Sequence, residues 1–243
     1  MQIYGGTDIG CVRTTNQDDL RYGNIPGEDS ELYAVVCDGM GGAKGGDVAS
    51  RMAVELIAQR ILSNYRADMP ERSVDYVLES AIYAASINIF DRAAQDDSLA
   101  GMGTTVVAVT VFGGQAHVAY VGDSRAYLIS EGEIQQITHD HSVVQEMIDS
   151  GKLTEAESLS SPHRHVITRA LGVENTLDID FVSFTVPADG KILICTDGLT
   201  DMLKTDTIYS AVVQNTPADA VDTLIASAKA CGGKDNITVV LIA

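Results

Sequence analysis

Apolar and polar positions along the chain predict a series of short strands and a few amphipathic helices. Apolar or β-branched runs separated by glycine-rich and polar turns predict strands at 2–8, 32–37, 104–112, 115–122, 124–130, 133–138, 178–186, 190–196 and 235–243. Apolar residues at helical spacing predict helices at 48–62, 74–89, 142–150 and 216–230. In the last helix Thr216 is the expected N-cap and Pro217 occupies the first turn. The polar stretch 10–20, which holds Asp18 and Asp19, is predicted to be a loop.

The order of these elements predicts the fold class. Hairpins follow a pair of helices, so helices and strands do not alternate as they would in a doubly wound parallel sheet. We therefore expect an α+β fold in which sheets and helices form layers. No repeat or linker divides the 243 residues, and we expect a single domain over 1–243.

The charge balance excludes several classes of partner. Sixteen basic residues stand against thirty-four acidic ones, a net charge of -18, which disfavours nucleic acid and anionic membranes as partners. No apolar run is long enough to cross a bilayer, and the first ten residues lack the basic and apolar parts of a signal peptide. We expect a cytoplasmic protein whose four scattered cysteines are reduced.

Four aspartates share one setting, because each lies at the start or end of an apolar strand beside a small residue. They are Asp38, Asp123, Asp197 and Asp235. Carboxylates gathered at one sheet edge repel one another unless a cation neutralises them, and oxygen ligands favour Mg²⁺ or Mn²⁺. Two such ions roughly 3.5–4 Å apart can clamp a phosphoryl group. For any one aspartate alone, a turn residue is the simpler interpretation, and only the recurrence favours a metal site.

The glycine-rich stretch 38–46, "DGMGGAKGG", does not match either common nucleotide-binding loop. A Walker loop needs Ser or Thr after the lysine, but Gly45 follows Lys44. A dinucleotide fingerprint needs a glycine at position 44. Both nucleotide-loop interpretations fail on spacing.

Taken in order, the motifs resemble the bacterial branch of the protein phosphatase 2C family, the metal-dependent protein serine/threonine phosphatases. The motifs that carry the resemblance are "GCVRTTNQDD", "VCDGMGG", "MGTTVVA", "VGDSRAYL", "THDHSVV", "HVITRALG", "CTDGLTD" and "DNITVVL". The resemblance extends over nearly the whole chain. It implies a four-layer α-β-β-α sandwich, two antiparallel β-sheets flanked by antiparallel helices.

The resemblance also implies a role for each matching residue. Asp38 would bridge two central Mn²⁺ or Mg²⁺ ions, Gly39 would offer its carbonyl to one ion, and Asp18 would lie in the shell of the pair. Asp197 and Asp235 would ligate the other ion. The remaining two implied roles are a third metal ion at Asp123 and phosphate binding by Arg13.

The implied reaction is hydrolysis of phosphoserine and phosphothreonine by attack of a metal-bridging hydroxide on phosphorus, with Asp38 and Arg13 as the catalytic residues. One position departs from the family pattern. Many members carry a histidine, proposed as general acid, where this chain has Ala43. We hypothesise that metal-bound water supplies the proton here.

Other features leave alternatives open. His139, His141, His163 and His165 form two His-x-His pairs, and a polar flap over the site is favoured over a zinc site. Asp201 is a candidate ligand or a helix cap. The expected partners are phosphoserine and phosphothreonine proteins, including a bacterial serine/threonine kinase and its substrates, and the expected state is a monomer. A regulatory phosphatase with one narrow target and a catalytically weak or dead binding module are the alternative functions.

Overall fold

The computed structural model describes residues 1–26, 28–41, 45–66 and 69–243, without the side chains of 28–30 and 71. The strands are Ile3–Asp8 (β1), Asp18–Ile25 (β2), Glu28–Met40 (β3), Gly103–Thr104 (β4), Val106–Phe112 (β5), Gln115–Val121 (β6), Arg125–Ser130 (β7), Glu133–Gln136 (β8), Asp180–Thr185 (β9), Lys191–Cys195 (β10) and Ile237–Ile242 (β11). The helices are Gly46–Asn64 (α1), Glu71–Gln95 (α2), Val143–Asp149 (α3), Glu155–Ser158 (α4), Asp197–Thr200 (α5), Thr205–Gln214 (α6) and Pro217–Ala230 (α7), with a 3₁₀ turn at Asp97–Leu99.

The strands form two antiparallel sheets. One sheet has the order β1-β11-β10-β7-β8, and the other has the order β2-β3-β5-β6-β9 with β4 paired to β3. Every strand pair within them is antiparallel. The pairs β5–β6 and β7–β8 are hairpins, because the two strands of each pair follow one another directly in sequence and lie side by side in the sheet.

Three apolar layers hold the sheets and helices together. The face-to-face layer between the sheets contains β-branched residues such as Val109, Ile194 and Val240. A second layer packs α1 and α2 against the β2-containing sheet, and a third packs α5, α6 and α7 against the β1-containing sheet. The order helix, sheet, sheet, helix confirms the four-layer α+β sandwich.

Most predicted elements are present, with shifted ends. Thr216 is the N-cap of α7 and accepts from the Asp219 N–H, as its position before Pro217 predicts. The loop predicted over 10–20 is wrong from Asp18 onward, because Asp18 begins β2 opposite Asp38 of β3. Hydrogen bonds to β3 stabilise this strand even though its sequence is mostly polar. The helix α6 was not predicted.

The long strand β3 determines where the site is built. The apolar run predicts a strand that stops at Cys37, but β3 continues to Met40. Its last two residues, Gly39 and Met40, pair with Thr104 and Gly103 of β4. Asp38 is therefore held within a ladder of backbone hydrogen bonds and not in a free loop.

Candidate active site

One open cavity of about 730 Å³ brings together the acids that the sequence places at strand ends. Its lining includes Arg13, Asp38, Gly39, Asp123, Asp197 and Asp235. The strands next to these residues belong to both sheets, since β3 and β6 lie in one sheet and β10 and β11 in the other. The cavity therefore lies where the ends of the two sheets meet.

Asp18 lies beneath this cavity and is the buried member of the group. It is opposite Asp38 in the β2–β3 register and only 7% exposed. Its Oδ2 accepts hydrogen bonds from the hydroxyls of Thr196 (2.9 Å) and Thr238 (2.7 Å). Its Oδ1 is buried with no hydrogen-bond partner among the described residues. A buried carboxylate oxygen without a partner is costly unless a cation lies next to it.

The backbone of Asp38 is fixed by two threonines that follow each other in sequence. The Asp38 N–H donates to Oγ1 of Thr105 (2.9 Å), and the Asp38 carbonyl accepts from the Thr105 N–H (2.9 Å) and the Thr104 hydroxyl (2.9 Å). The Thr105 hydroxyl lies 2.8 Å from that of Ser124. Thr105 thus connects the strand that carries Asp38 to the loop that carries Asp123.

His141 holds the same loop from its other side. The Gly122 N–H donates to Nδ1 of His141 (3.1 Å), so this nitrogen carries no proton and the ring proton is on Nε2. Nε2 then donates to Oδ2 of Asp180 at 3.3 Å. Burial lowers the pKa of His141, which agrees with a neutral ring. A neutral His141 therefore positions the backbone directly before Asp123.

Burial and mutual repulsion raise the pKa of three carboxyl groups at this site. Burial is the largest cause in each case, and repulsion from Asp197 adds to it. The pKa of Asp18 rises to about 7 and that of Asp123 to about 8, and the pKa of Asp38 also rises well above its usual value. These carboxylates are costly to ionise together without a neutralising cation.

The donor set fits hard divalent cations. The candidate ligands are carboxylate oxygens, together with the backbone of Gly39 at the cavity wall. Two of the carboxylate oxygens, Oδ1 of Asp18 and Oδ1 of Asp197, are buried without a hydrogen-bond partner in the described part of the chain. Such oxygens are suited to Mg²⁺ or Mn²⁺, which prefer oxygen ligands.

Gly39 is required by a close approach of three backbone segments. A Cβ atom at this position would lie 2.1 Å from the carbonyl oxygen of Gly46 and 2.5 Å from that of Gln17. No side chain fits there unless the start of α1 or the loop before β2 moves. The glycine therefore lets β3 and α1 pack against each other.

Arg13 lies at the rim of the cavity in an ion pair. Its Nη2 is 2.6 Å from Oδ2 of Asp235, and the Arg13 side chain remains half exposed. Asn236 holds the loop that carries Arg13, since its side chain accepts from the Gln17 N–H (2.8 Å) and donates to the carbonyl of Thr15 (3.1 Å). A guanidinium has five N–H donors, so the pair with Asp235 leaves others for an anion.

The four flap histidines do not form one site. His139 pairs with Asp149 and His141 with Asp180, whereas His165 reaches the cavity. Nδ1 of His165 lies 3.5 Å from Asp201 and 3.8 Å from Asp197. His165, Asp197 and Asp201 form the one cluster of three candidate metal ligands found among the described residues. Asp201 also caps the C-terminus of α5, so both alternatives for this residue have a structural basis.

Several residues of the site have no assignment from the sequence. Thr196 and Thr238, which hold Asp18, each lie close in sequence to a strand-end aspartate, and Asn236 follows Asp235 directly. Those adjacencies are the signal that could have identified them. The departure at Ala43 lies outside the described residues.

Across the described ranges, no helix combines the length and apolar character needed to cross a membrane.

The family model described as protein phosphatase 2C matches residues 12–230. The serine/threonine phosphatase stp of Listeria monocytogenes is 35% identical over 239 residues, which are 97% of this chain and 93% of that protein.

Solved structures show the same similarity in three dimensions. The serine/threonine phosphatase Stp1 of Staphylococcus aureus superposes with a TM-score of 0.93 at 31% identity, covering 100% of this chain and 94% of that chain. The catalytic domain of the serine/threonine protein phosphatase PstP, solved in complex with two manganese ions, gives a TM-score of 0.85 at 31% identity. That match covers 99% of this chain and 96% of that one.

Proposed function

The chain belongs to the protein phosphatase 2C family, and from this premise we propose that its acidic cavity is the active site of a metal-dependent protein serine/threonine phosphatase. The observation that carries the proposal is the convergence of Asp38, Asp123, Asp197 and Asp235 on one cavity above the buried Asp18. Two of the oxygens in this group are buried without a partner among the described residues.

We assign the residues as follows. Asp18, Asp38, Asp197, Asp235 and the carbonyl of Gly39 would hold two Mn²⁺ or Mg²⁺ ions, and Asp123 would contribute to a third. When bound, the ions supply Lewis-acid charge to the phosphoryl oxygens and activate water for hydrolysis. The two manganese ions reported for PstP support this metal choice.

The chain's own groups then bind and orient the substrate. Arg13 faces the cavity from a loop that Asn236 holds in place, so its remaining N–H groups can bind two phosphate oxygens at once. Thr105 and Ser124 fix Asp38 and Asp123 relative to each other. Preorganised groups of this kind stabilise the charge on the phosphoryl oxygens without having to reorganise during the reaction.

The substrates are phosphoserine and phosphothreonine proteins, in agreement with the phosphatases to which the chain is similar. We further propose that they include a bacterial serine/threonine kinase and its targets, and that the enzyme is a cytoplasmic monomer with one catalytic domain over 1–243. The four free cysteines, two of them exposed, support a reducing compartment. The binding-module alternative is less favoured, because every aspartate of the expected metal set is present.

Phosphate release from a phosphothreonine peptide tests this function. We expect turnover with Mn²⁺, none with chelator, and a loss of about 10²-fold or more in Asp38→Asn. Asp19→Asn is the matched control, since Asp19 follows Asp18 in β2, where successive side chains lie on opposite faces of the strand. Turnover that is independent of metal, or equal loss in both variants, would contradict the proposal. Turnover restricted to one of many phosphoproteins would favour the narrow regulatory phosphatase.

A further inference from the structure

A second, smaller groove continues from the catalytic cavity along the flap side. Its volume is about 330 Å³, and Met40 and Ile167 line both it and the larger cavity. A chain whose phosphorylated residue occupies the larger cavity would therefore pass into this groove with its neighbouring residues. An extended peptide advances about 3.3 Å per residue, so the groove is within reach of the first few flanking positions.

The groove has an apolar floor. Val173 is 45% exposed there, although a valine in a folded chain is usually buried. Its Cγ2 and the Cε of Met40 lie side by side over Gly103, since a Cβ on that glycine would be 2.8 Å from the first and 3.0 Å from the second. These atoms offer a surface for a hydrocarbon stem.

The rim of the groove carries negative charge. Glu174 and Asp178 both line it and are exposed. Within the described part of the chain neither of them forms an ion pair. Among the described residues that line the groove, the one cation is Arg169, which is already paired with Asp180 at 3.0 Å. The groove therefore presents net negative charge above apolar atoms.

The wall that carries these groups is firmly attached to the rest of the fold. Thr104 and Leu171 exchange two backbone hydrogen bonds (3.1 and 2.8 Å), and the Gly172 N–H donates to Oγ of Ser86 (3.0 Å). The Tyr83 hydroxyl donates to the carbonyl of Asn175 at 3.4 Å. The positions of Val173 and Glu174 are thus set by α2 and β4.

We infer that this groove is a specificity subsite for the substrate polypeptide, and that it takes a lysine or arginine side chain flanking the phosphorylated residue. The methylene stem lies over Met40 and Val173, and the cationic end meets Glu174 and Asp178. The inference rests on the proposed function, since it places the substrate by its phosphate. It adds a preference for a cationic residue next to the phosphorylated residue, which does not follow from membership of the family.

The test compares one phosphothreonine peptide in three forms, with lysine, leucine or glutamate at the flanking positions on either side. On one side of the phosphothreonine, we expect kcat/KM to be highest for the lysine peptide, lower for the leucine peptide and lowest for the glutamate peptide. The fall from lysine to glutamate should be about five-fold and should arise through KM. In Glu174→Lys/Asp178→Lys the order should reverse. The charge-matched control is Glu133→Lys/Asp222→Lys, which changes two exposed acids that line neither cavity and should keep the wild-type order.

The ratio of kcat/KM for the lysine peptide to kcat/KM for the glutamate peptide is compared between variants, because this ratio does not depend on a variant's overall activity. An unchanged ratio in Glu174→Lys/Asp178→Lys, or the same reversal in the control pair, would overturn the inference, as would a preference for leucine over lysine. A shift in self-association on sedimentation with no change in the ratio would assign the groove to a second copy of the chain and also overturn it.

Failure of the proposed function has a separate signature. Hydrolysis of p-nitrophenyl phosphate by the wild-type chain with Mn²⁺ reports on the catalytic centre alone. If that activity is absent, the dissociation constants of the Lys and Glu peptides for wild type and for Glu174→Lys/Asp178→Lys still decide whether the groove selects charge.

Discussion

At the scale of single residues, Asp18 carries a charge that a neighbouring cation would stabilise. It is buried, and its charge is opposed by burial and by neighbouring acids. Two threonine hydroxyls stabilise one of its oxygens, which is less than full solvation would provide. Ionising Asp18 in the metal-free protein is therefore costly, and a cation bound at the proposed site would offset that cost.

The stability of the metal-free protein should fall as pH rises. A carboxyl whose folded pKa is raised binds more protons in the folded than in the unfolded state, so its contribution is complete below its unfolded pKa of about 4. For Asp18 that contribution is lost by about pH 7, and for Asp123 by about pH 8. With chelator present, we expect the Tm to decrease from pH 5 to pH 8, by about 2–4 °C for each kcal/mol lost.

The variant Asp18→Asn isolates one part of this effect. Without the buried charge the chelated protein should be more stable at pH 8 than wild type and its pH dependence flatter, while Mn²⁺ raises its Tm less. Thermal unfolding with and without Mn²⁺ measures both effects, and Asp222→Asn, at an exposed position of α7, serves as the control. A wild-type Tm that rises with pH in chelator would contradict the assignment.

Arg13 gives a second prediction at this scale. Lysine keeps the charge but cannot bind two phosphate oxygens through a planar fork. We expect Arg13→Lys to raise KM for a phosphopeptide about ten-fold and to weaken inhibition by inorganic phosphate, because one charge-assisted hydrogen bond is lost. Arg21→Lys, on the exposed part of β2, should leave both constants unchanged. Equal KM values for the two variants would remove Arg13 from the phosphate site.

At the scale of elements, the junction of β3, β2 and α1 shapes the proposed metal site. We expect Gly39→Ala to lower the free energy of unfolding by about 1–3 kcal/mol, because the new methyl group meets two backbone carbonyls. It should also weaken Mn²⁺ binding. Gly23→Ala is a matched control within β2, since its Cβ would make only an ordinary contact 3.7 Å from Tyr33. Chemical denaturation and Mn²⁺ titration measure both effects, and a neutral Gly39→Ala would show that the junction can move.

Elements with a strong local pattern were predictable. The closing strand at Ile237–Ile242 is apolar except for Thr238 and buried throughout, and Thr216 begins α7 as its position before Pro217 predicts. Strand β2 was missed because pairing with β3, and not its own polar sequence, makes it a strand. The short helix Asp197–Thr200 was missed because four residues are too few for helical spacing to be visible.

At the scale of the whole molecule, the net charge of -18 acts on every anionic substrate. With saturating Mn²⁺, we expect kcat/KM for p-nitrophenyl phosphate to rise between about 0.01 and 0.15 M ionic strength, because salt screens repulsion from the protein. For the lysine-containing phosphopeptide the change should be smaller or opposite in sign. Steady-state kinetics in an inert salt decide this, and a fall for the small anion would contradict the expectation.

The sequence alone determined the chemical groups of this protein: aspartates beside apolar strands, a glycine that follows Asp38, an arginine in the first polar stretch and the order of the motifs. These features follow from residue type and local pattern, which can be read directly from the amino-acid sequence. The tertiary structure alone decided that Asp18 is buried opposite Asp38, that Arg13 meets Asp235, and that Met40 joins two cavities. The reason is physical: these residues come together through strand pairing and layer packing between distant segments, which no local pattern records.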